Sequence, residues 1–241
     1  MIDIVVPALE SSKQFFDSYW PKNMIEVDGK PMIQYVVENF GQFKEKEFIF
    51  LLNTEECNRF HTDKALKILS NGKIVRLNGE TGGALCTCLM AVQHINNDDP
   101  LIICNSDQMI DYDLEKVITY FQEKQADCGL LCFQCIHPRW SYVREVNGEV
   151  VEAAEKRPIS SKAIAGFYYF AHGKDFIECA KSAILNGRKY NGKYYISETI
   201  NEMILRNKKV LQYTIPSECY HSFYSPQCIE NYERMQRHEE I

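Results

Sequence analysis

Apolar runs of strand length recur along this chain at residues 2–6, 47–52, 73–77, 101–104 and 128–135. Between them lie stretches with helical spacing, near residues 32–40, 56–69, 83–95 and 114–125. Residues 32–40 show the pattern plainly, with Met32, Tyr35, Val36 and Phe40 falling on one helical face. Short strands that are apolar throughout, alternating with amphipathic helices, specify a mostly parallel sheet covered on both faces. The expected fold class is α/β, a Rossmann-like central sheet flanked by helices.

After residue 135 the rhythm changes. Alternating segments flank Asn147-Gly148, a strong short-range hairpin signal. A strand at 163–171, helices near 174–185 and 196–206, a strand at 210–215 and a polar helix at 226–238 complete the chain. No repeat or low-complexity linker interrupts it. The expectation is one domain over residues 1–241, with a nucleotide-type half at 1–135 and an acceptor-binding half at 136–241. The second half carries the smaller, mixed β region.

The net charge of −6 over 241 residues argues against a general nucleic-acid binder. No apolar run approaches the roughly 20 residues a bilayer span requires, so no membrane insertion is expected. Asp3 stands where a signal peptide would carry positive charge, and a cytoplasmic location follows as the expectation. The ten cysteines are then expected as reduced thiols. Cys128, Cys132 and Cys135 have the spacing of an iron–sulfur cluster motif, but they lie in a strand-like run. There Cys128 and Cys132 face one side and Cys135 the other, which separates the thiolates. Oligomeric state is not legible.

In open parallel sheets ligands bind beyond the carboxyl ends of the strands. Four polar groups fall there. Pro21-Lys22 closes the loop after the first strand. Thr81, Gly82 and Gly83 open a helix, where free N–H groups favour an anion or a nucleobase edge, or simply start the helix. Asn105-Ser106-Asp107 follows a buried strand, where a carboxylate suits Mg²⁺, unless Asp107 or Asp111 caps the next helix. Asp113, directly before that helix, reads as its cap. Lys156 follows a strand, placed to reach a phosphate or to sit as a solvated edge lysine.

The segment PKNMIEVDGKPMIQYVVENF, residues 21–40, resembles the sugar-phosphate nucleotidyltransferases and their relatives with a GT-A-like fold. ETGGALCTCLMA resembles that family's base-binding turn, and IICNSDQMID its metal-binding strand end. EAAEKRP with AIAGFYYF, and then YISETINEMI, are similar to its acceptor elements. The likeness spans nearly the whole chain. It is close to the subgroup of capsule and surface-polysaccharide loci, which includes cytidylyltransferases and family 2-like glycosyltransferases. The resemblance implies transfer of a nucleoside monophosphate, CMP favoured, from a nucleoside triphosphate to a phosphorylated acceptor. Lys22 would hold phosphate oxygens, Gly82 and Gly83 would admit the base, and Asp107 would bind Mg²⁺. Pro7, Ala8, Lys13, Thr81 and Ser106 would complete the nucleotide site. Lys156 would orient the acceptor phosphate, with Glu155, Gly166 and Glu198 around the acceptor; Glu198 reads equally as a helix-surface carboxylate.

The chain departs from the family in two places. Counting from Pro7, the glycine-rich phosphate loop falls on residues 10–15, with Glu10, Ser12 and Gln14 where the glycines and arginine belong. Glu10 there would repel polyphosphate by roughly 1 kcal/mol or more. Lys13 offers a point charge in place of the arginine's fork. Near the C-terminus Ser222 takes the second metal ligand's place, beside His221. These losses leave two alternatives open: a GT-A-like glycosyltransferase using a nucleotide sugar, or a non-catalytic nucleotide-binding homologue.

Overall fold

β1 (Ile2–Ala8) lies near the middle of the sheet because Ile4, Val5 and Val6 have nowhere else to go; all three are completely buried. The computed structural model describes residues 1–9 and 13–237. After β1 a small hairpin, β2 (Glu26–Val27) and β3 (Lys30–Pro31), leads into α1 (Met32–Glu38). β4 (Lys46–Asn53), α2 (Thr54–Phe60), α3 (Thr62–Ser70) and β5 (Lys73–Leu77) follow. Then come α4 (Ala84–Leu89), α5 (Val92–Ile95), β6 (Leu101–Cys104), β7 (Gln108–Ile110), α6 (Leu114–Glu123) and β8 (Cys128–Gln134). The remainder supplies the hairpin β9 (Tyr142–Val146) and β10 (Glu149–Ala154), then β11 (Lys162–Phe170) and α7 (Gly173–Leu185). α8 (Ser197–Leu205), β12 (Val210–Ile215), β13 (Tyr220–Ser222) and α9 (Pro226–Gln236) finish it.

Among the described residues the main sheet has nine strands. β5, β4, β1 and β6 run parallel to one another, in that order. β11 lies antiparallel beside β6, β8 antiparallel beside β11, and β12 parallel beside β8. The β9–β10 hairpin joins the start of β11. Side chains alternate across the parallel strands: Ile4, Val6, Phe48 and Phe50 pack on one face, Val5, Ile49, Leu51 and Ile103 on the other. Helices cover both faces, as continuous apolar strands require. No described helix is long and apolar enough to cross a membrane.

Two expected helices are each broken in two. The segment at 56–69 divides at His61, whose φ of 55° is left-handed and ends α2. The segment at 83–95 divides after Leu89. Leu85, Cys88, Ala91 and Ile95 keep a common buried face through that break, so their periodicity continues where the helix does not. The hairpin at Asn147-Gly148 forms as expected, with φ of 53° and 85°.

Candidate active site

β4 lies on one side of β1 and β6 on the other, so a crevice opens where their carboxyl ends diverge. Pro7 and Ala8 end β1 opposite Leu51 and Leu52, and Asn105-Ser106-Asp107 leaves β6 at the same edge. Lys22 comes back into this crevice from the first loop. Its Nζ donates to Asp107 Oδ2 at 2.6 Å, with the two side chains 14% and 15% exposed. The loop is tied down beside it, because Asn23 Nδ2 donates to the Ala8 carbonyl at 3.2 Å. The buried Asn23 Oδ1 has no hydrogen-bond partner among the described residues, leaving an acceptor at the strand end.

The other partner is fixed by β11. Gly166 has φ of 55° at the bulge of that strand, and its carbonyl accepts from Asn105 N at 3.0 Å and Gln108 Nε2 at 3.1 Å. A Cβ at Gly166 would overlap the side-chain amides of Asn105 and Gln108. The glycine therefore holds up the strand end that carries Ser106, which is buried, and Asp107. From the other side Phe223 N donates to the Asp107 carbonyl at 2.8 Å, and β13 pairs with β7 so that Ser222 lies opposite Gln108.

The turn at Thr81–Gly83 is braced from within and by Tyr194. Thr81 Oγ1 lies 2.7 Å from Thr87 Oγ1 and donates to the Gly83 carbonyl at 3.1 Å, so hydroxyls brace the turn. Gly83 has φ of 126°, and a Cβ there would collide with the backbone of Tyr194. Tyr194 N donates to the Gly82 carbonyl at 2.8 Å and Leu85 N to the Tyr194 carbonyl at 3.2 Å. The last bond uses one of the free N–H groups at the mouth of α4. Close approach of Tyr194 accounts for Gly83, whereas Gly82 remains exposed. Lys13 begins a short 3-10 turn, Lys13–Phe15, but its side chain and Glu10, Ser11 and Ser12 lie outside the described residues.

On the acceptor side, Lys156 has a left-handed φ of 50°, an uncommon conformation for a side-chain-bearing residue. Its Nζ donates to Tyr195 Oη at 3.0 Å and lies over the rings of Tyr195 and Tyr190, 4.8 and 5.7 Å from their centroids. Burial alone would lower its pKa, but the Tyr195 hydroxyl, Glu155 and Tyr190 reverse this and hold the ammonium above the ordinary lysine value. Glu155 is buried, and its Oε2 accepts from Ser197 Oγ at 2.7 Å and from Ser141 Oγ. Glu198, in the first turn of α8, is half-buried, and burial pushes its carboxyl above the usual range. Glu155 and Glu198 line one cavity of about 510 Å³ with Arg188, Tyr190 and Asn201. A larger cavity of about 750 Å³ is lined by Asp28, Tyr35, Asp111, Asp113, Tyr232 and others, and includes none of the candidate nucleotide, metal or acceptor residues. The site follows the strand ends rather than volume, because there the buried charges meet.

Asp113 Oδ1 accepts from Lys116 N at 3.1 Å and caps α6, as its position before that helix indicates. The His221 ring packs 5.0 Å from that of Tyr232, and burial favours its neutral form. Among the described residues no group of three or more His, Cys, Asp or Glu side chains is arranged to hold a metal. What Asp107 offers is one carboxylate with a serine nearby in the backbone, a donor set that suits Mg²⁺ completed by water and substrate phosphate oxygens. Cys128 and Cys132 are fully buried in β8, where desolvation pushes both thiols up and disfavours thiolate.

Sequence reasoning did not single out Ser141, Tyr194, Tyr195 or Ser197, although all four contact residues that it did. The signal for the last three was the Tyr194-Tyr195 pair shortly before the Ser-Glu that opens α8. The family model "Nucleotidyl transferase" matches residues 18–220. A sequence search of curated proteins gave no match. Among solved structures, a nucleoside-diphosphate-sugar pyrophosphorylase from Vibrio cholerae RC9 is similar with a TM-score of 0.81 and 22% identity, covering 97% of this chain and 100% of its own. A UDP-glucose pyrophosphorylase complexed with UDP-glucose has a TM-score of 0.78 and 18% identity, with 99% of each chain covered. The UTP-bound UGPase from Acinetobacter baumannii has a TM-score of 0.74 and 16% identity, covering 98% of this chain and 94% of its own. With a family match running through most of its length, the chain belongs to the nucleotidyl transferase family.

Proposed function

We propose that this enzyme transfers a nucleoside monophosphate from a nucleoside triphosphate to a phosphorylated small-molecule acceptor, releasing pyrophosphate. The observation that carries the reading is the 2.6 Å pair of Lys22 and Asp107 at the diverging ends of β1 and β6. A cation and a carboxylate held together there suit an α-phosphate, the lysine meeting its oxygens. In this reading residues 1–135 hold the nucleotide, with Pro7, Ala8, Lys13, Ser106 and the turn at Thr81–Gly83 around it. Residues 136–241 hold the acceptor, with Lys156 meeting its phosphate and Glu155, Gly166 and Glu198 shaping the pocket. No side-chain nucleophile is required, because positioning and charge stabilisation do most of the work in phosphoryl transfer. Mg²⁺ at Asp107 would screen charge on the transferred phosphate.

The sequence resemblance favours CTP and a capsule or surface-polysaccharide precursor made in the cytoplasm. The names of the similar structures bring UTP and sugar phosphates as the competing pair. The deciding assay incubates the protein with Mg²⁺, each of CTP, UTP, dTTP, ATP and GTP, and a panel of sugar 1-phosphates and other phosphorylated acceptors. Pyrophosphate release that needs both a nucleotide and an acceptor is the expected result, strongest with CTP. Sugar transfer from a nucleotide sugar without pyrophosphate would replace the reading with the glycosyltransferase one. Failure to bind any nucleotide would leave a non-catalytic homologue.

A further inference from the structure

The segment from Tyr190 to Ser197 touches both halves of the site within a few residues. It begins with a tight turn in which Asn191 and Gly192 have φ of 47° and 79°, and Tyr190 N and Lys193 N donate to each other's carbonyls at 3.0 and 3.1 Å. An Asn-Gly pair adopts this geometry readily, so the turn is preformed. Tyr194 then docks by its backbone on Gly82 and Leu85, at 2.8 and 3.2 Å, in the space that Gly83 leaves for it. Its hydroxyl donates to the Ile184 carbonyl at the end of α7, at 3.2 Å. The next residue, Tyr195, accepts from Lys156 Nζ at 3.0 Å and offers its ring face to the same ammonium. Two residues later Ser197 donates to Glu155 Oε2 at 2.7 Å.

We propose that residues 190–197 act as a strap that ties the Gly82-Gly83 turn to Lys156 and Glu155, with Tyr195 as the positioning residue for Lys156. Consecutive residues of one short segment grip each end, so a shift at one end is carried to the other through a single virtual bond between Tyr194 and Tyr195. Tyr195 itself need touch no substrate; it acts by holding the Lys156 ammonium, whose backbone is already in the left-handed region. The chemical meaning of that lysine rests on the proposed nucleotidyl transfer, in which it meets the acceptor phosphate. The strap does not rest on that reading, and it is testable in the free protein.

The experiment compares the wild type with Tyr195→Phe, which keeps the ring and removes only the hydroxyl. Amide exchange at Tyr194 and Leu85, and the NMR signals of the Lys156 ε-methylene, are followed without ligand. The strap predicts that Tyr195→Phe moves the Lys156 signals. It also predicts faster exchange at both amides by about threefold to tenfold, the span of one hydrogen bond of ordinary net worth. Tyr194→Phe runs the coupling in the other direction: it frees the Ile184 carbonyl, speeds the same exchange and moves the Lys156 signals in turn. Unmoved Lys156 signals in Tyr195→Phe, or exchange within about twofold of wild type at both amides, would overturn the proposal. In the turnover assay Tyr195→Phe is expected to raise KM for the acceptor by about threefold to tenfold. Absence of any turnover in the wild type would count against nucleotidyl transfer, while the free-protein measurement would still decide the strap.

Discussion

Lys22 and Asp107 are separated by 85 positions in sequence and by 2.6 Å in space, each with about a seventh of its side chain exposed. The loop after β1 and the carboxyl end of β6 bring them together. Removing the carboxylate leaves a largely buried ammonium without its anion. Asp107→Ala is therefore expected to lose about 1–3 kcal/mol in urea unfolding, discounted from a fully buried pair for the remaining exposure. That is a fraction of a typical domain's stability, so the variant stays folded.

Gly166 and Gly148 both have positive φ, at 55° and 85°, but only one is crowded. A Cβ at Gly148 meets nothing within 4 Å, whereas at Gly166 it overlaps Asn105 and Gln108. Gly148→Ala should cost about 1 kcal/mol from backbone conformation alone, and Gly166→Ala about 2–4 kcal/mol from conformation and overlap together. Thermal melts of the two variants side by side measure the difference. Equal losses would mean that the Asn105 turn adjusts freely.

Ser141 and Ser197 both donate to the same oxygen of buried Glu155. Each serine-to-alanine change should destabilise by about 1–3 kcal/mol, because the carboxylate loses a donor it cannot replace with bulk water. The double variant is expected to depart from additivity, since the two hydroxyls share one acceptor. Urea unfolding of the full double-mutant cycle gives the coupling.

The parallel half of the sheet was legible because each of its strands is a short apolar run with nothing else to do. The break at Met90 was not, because Leu85, Cys88, Ala91 and Ile95 keep a helical beat across it, and the left-handed turn at His61 carries no glycine to mark it. Asp107 and Lys22 stood out as charges at strand ends. Tyr195 and Ser197 did not, because their partners, Lys156 and Glu155, lie 39 and 42 positions away and pair only through tertiary folding. Gly83 was read as an opening for a ligand or as a plain helix start; its close contact with Tyr194 is one that no local pattern reveals.

His221 is shifted below the ordinary histidine value of 6.5 by burial, against the smaller opposing pull of Asp111. The unfolded chain then binds the proton more tightly than the folded one. Stability is fully present above pH 6.5 and falls as the pH drops through the lowered folded value. His221→Phe, which keeps a ring against Tyr232, should flatten that part of the stability profile. Urea midpoints taken stepwise from pH 7.5 down to 5 check it, and an unchanged slope in the variant would assign the decline to other groups.

Pyrophosphate release by wild type, Lys22→Met and Asp107→Ala, each shown folded by circular dichroism, bears most directly on the grip at the strand ends. With Mg²⁺, the preferred nucleoside triphosphate and a phosphorylated acceptor, the account predicts turnover in the wild type and at least about a hundredfold loss in either variant. Turnover within about threefold of wild type in both folded variants would contradict it, leaving the Lys22–Asp107 pair a structural contact only.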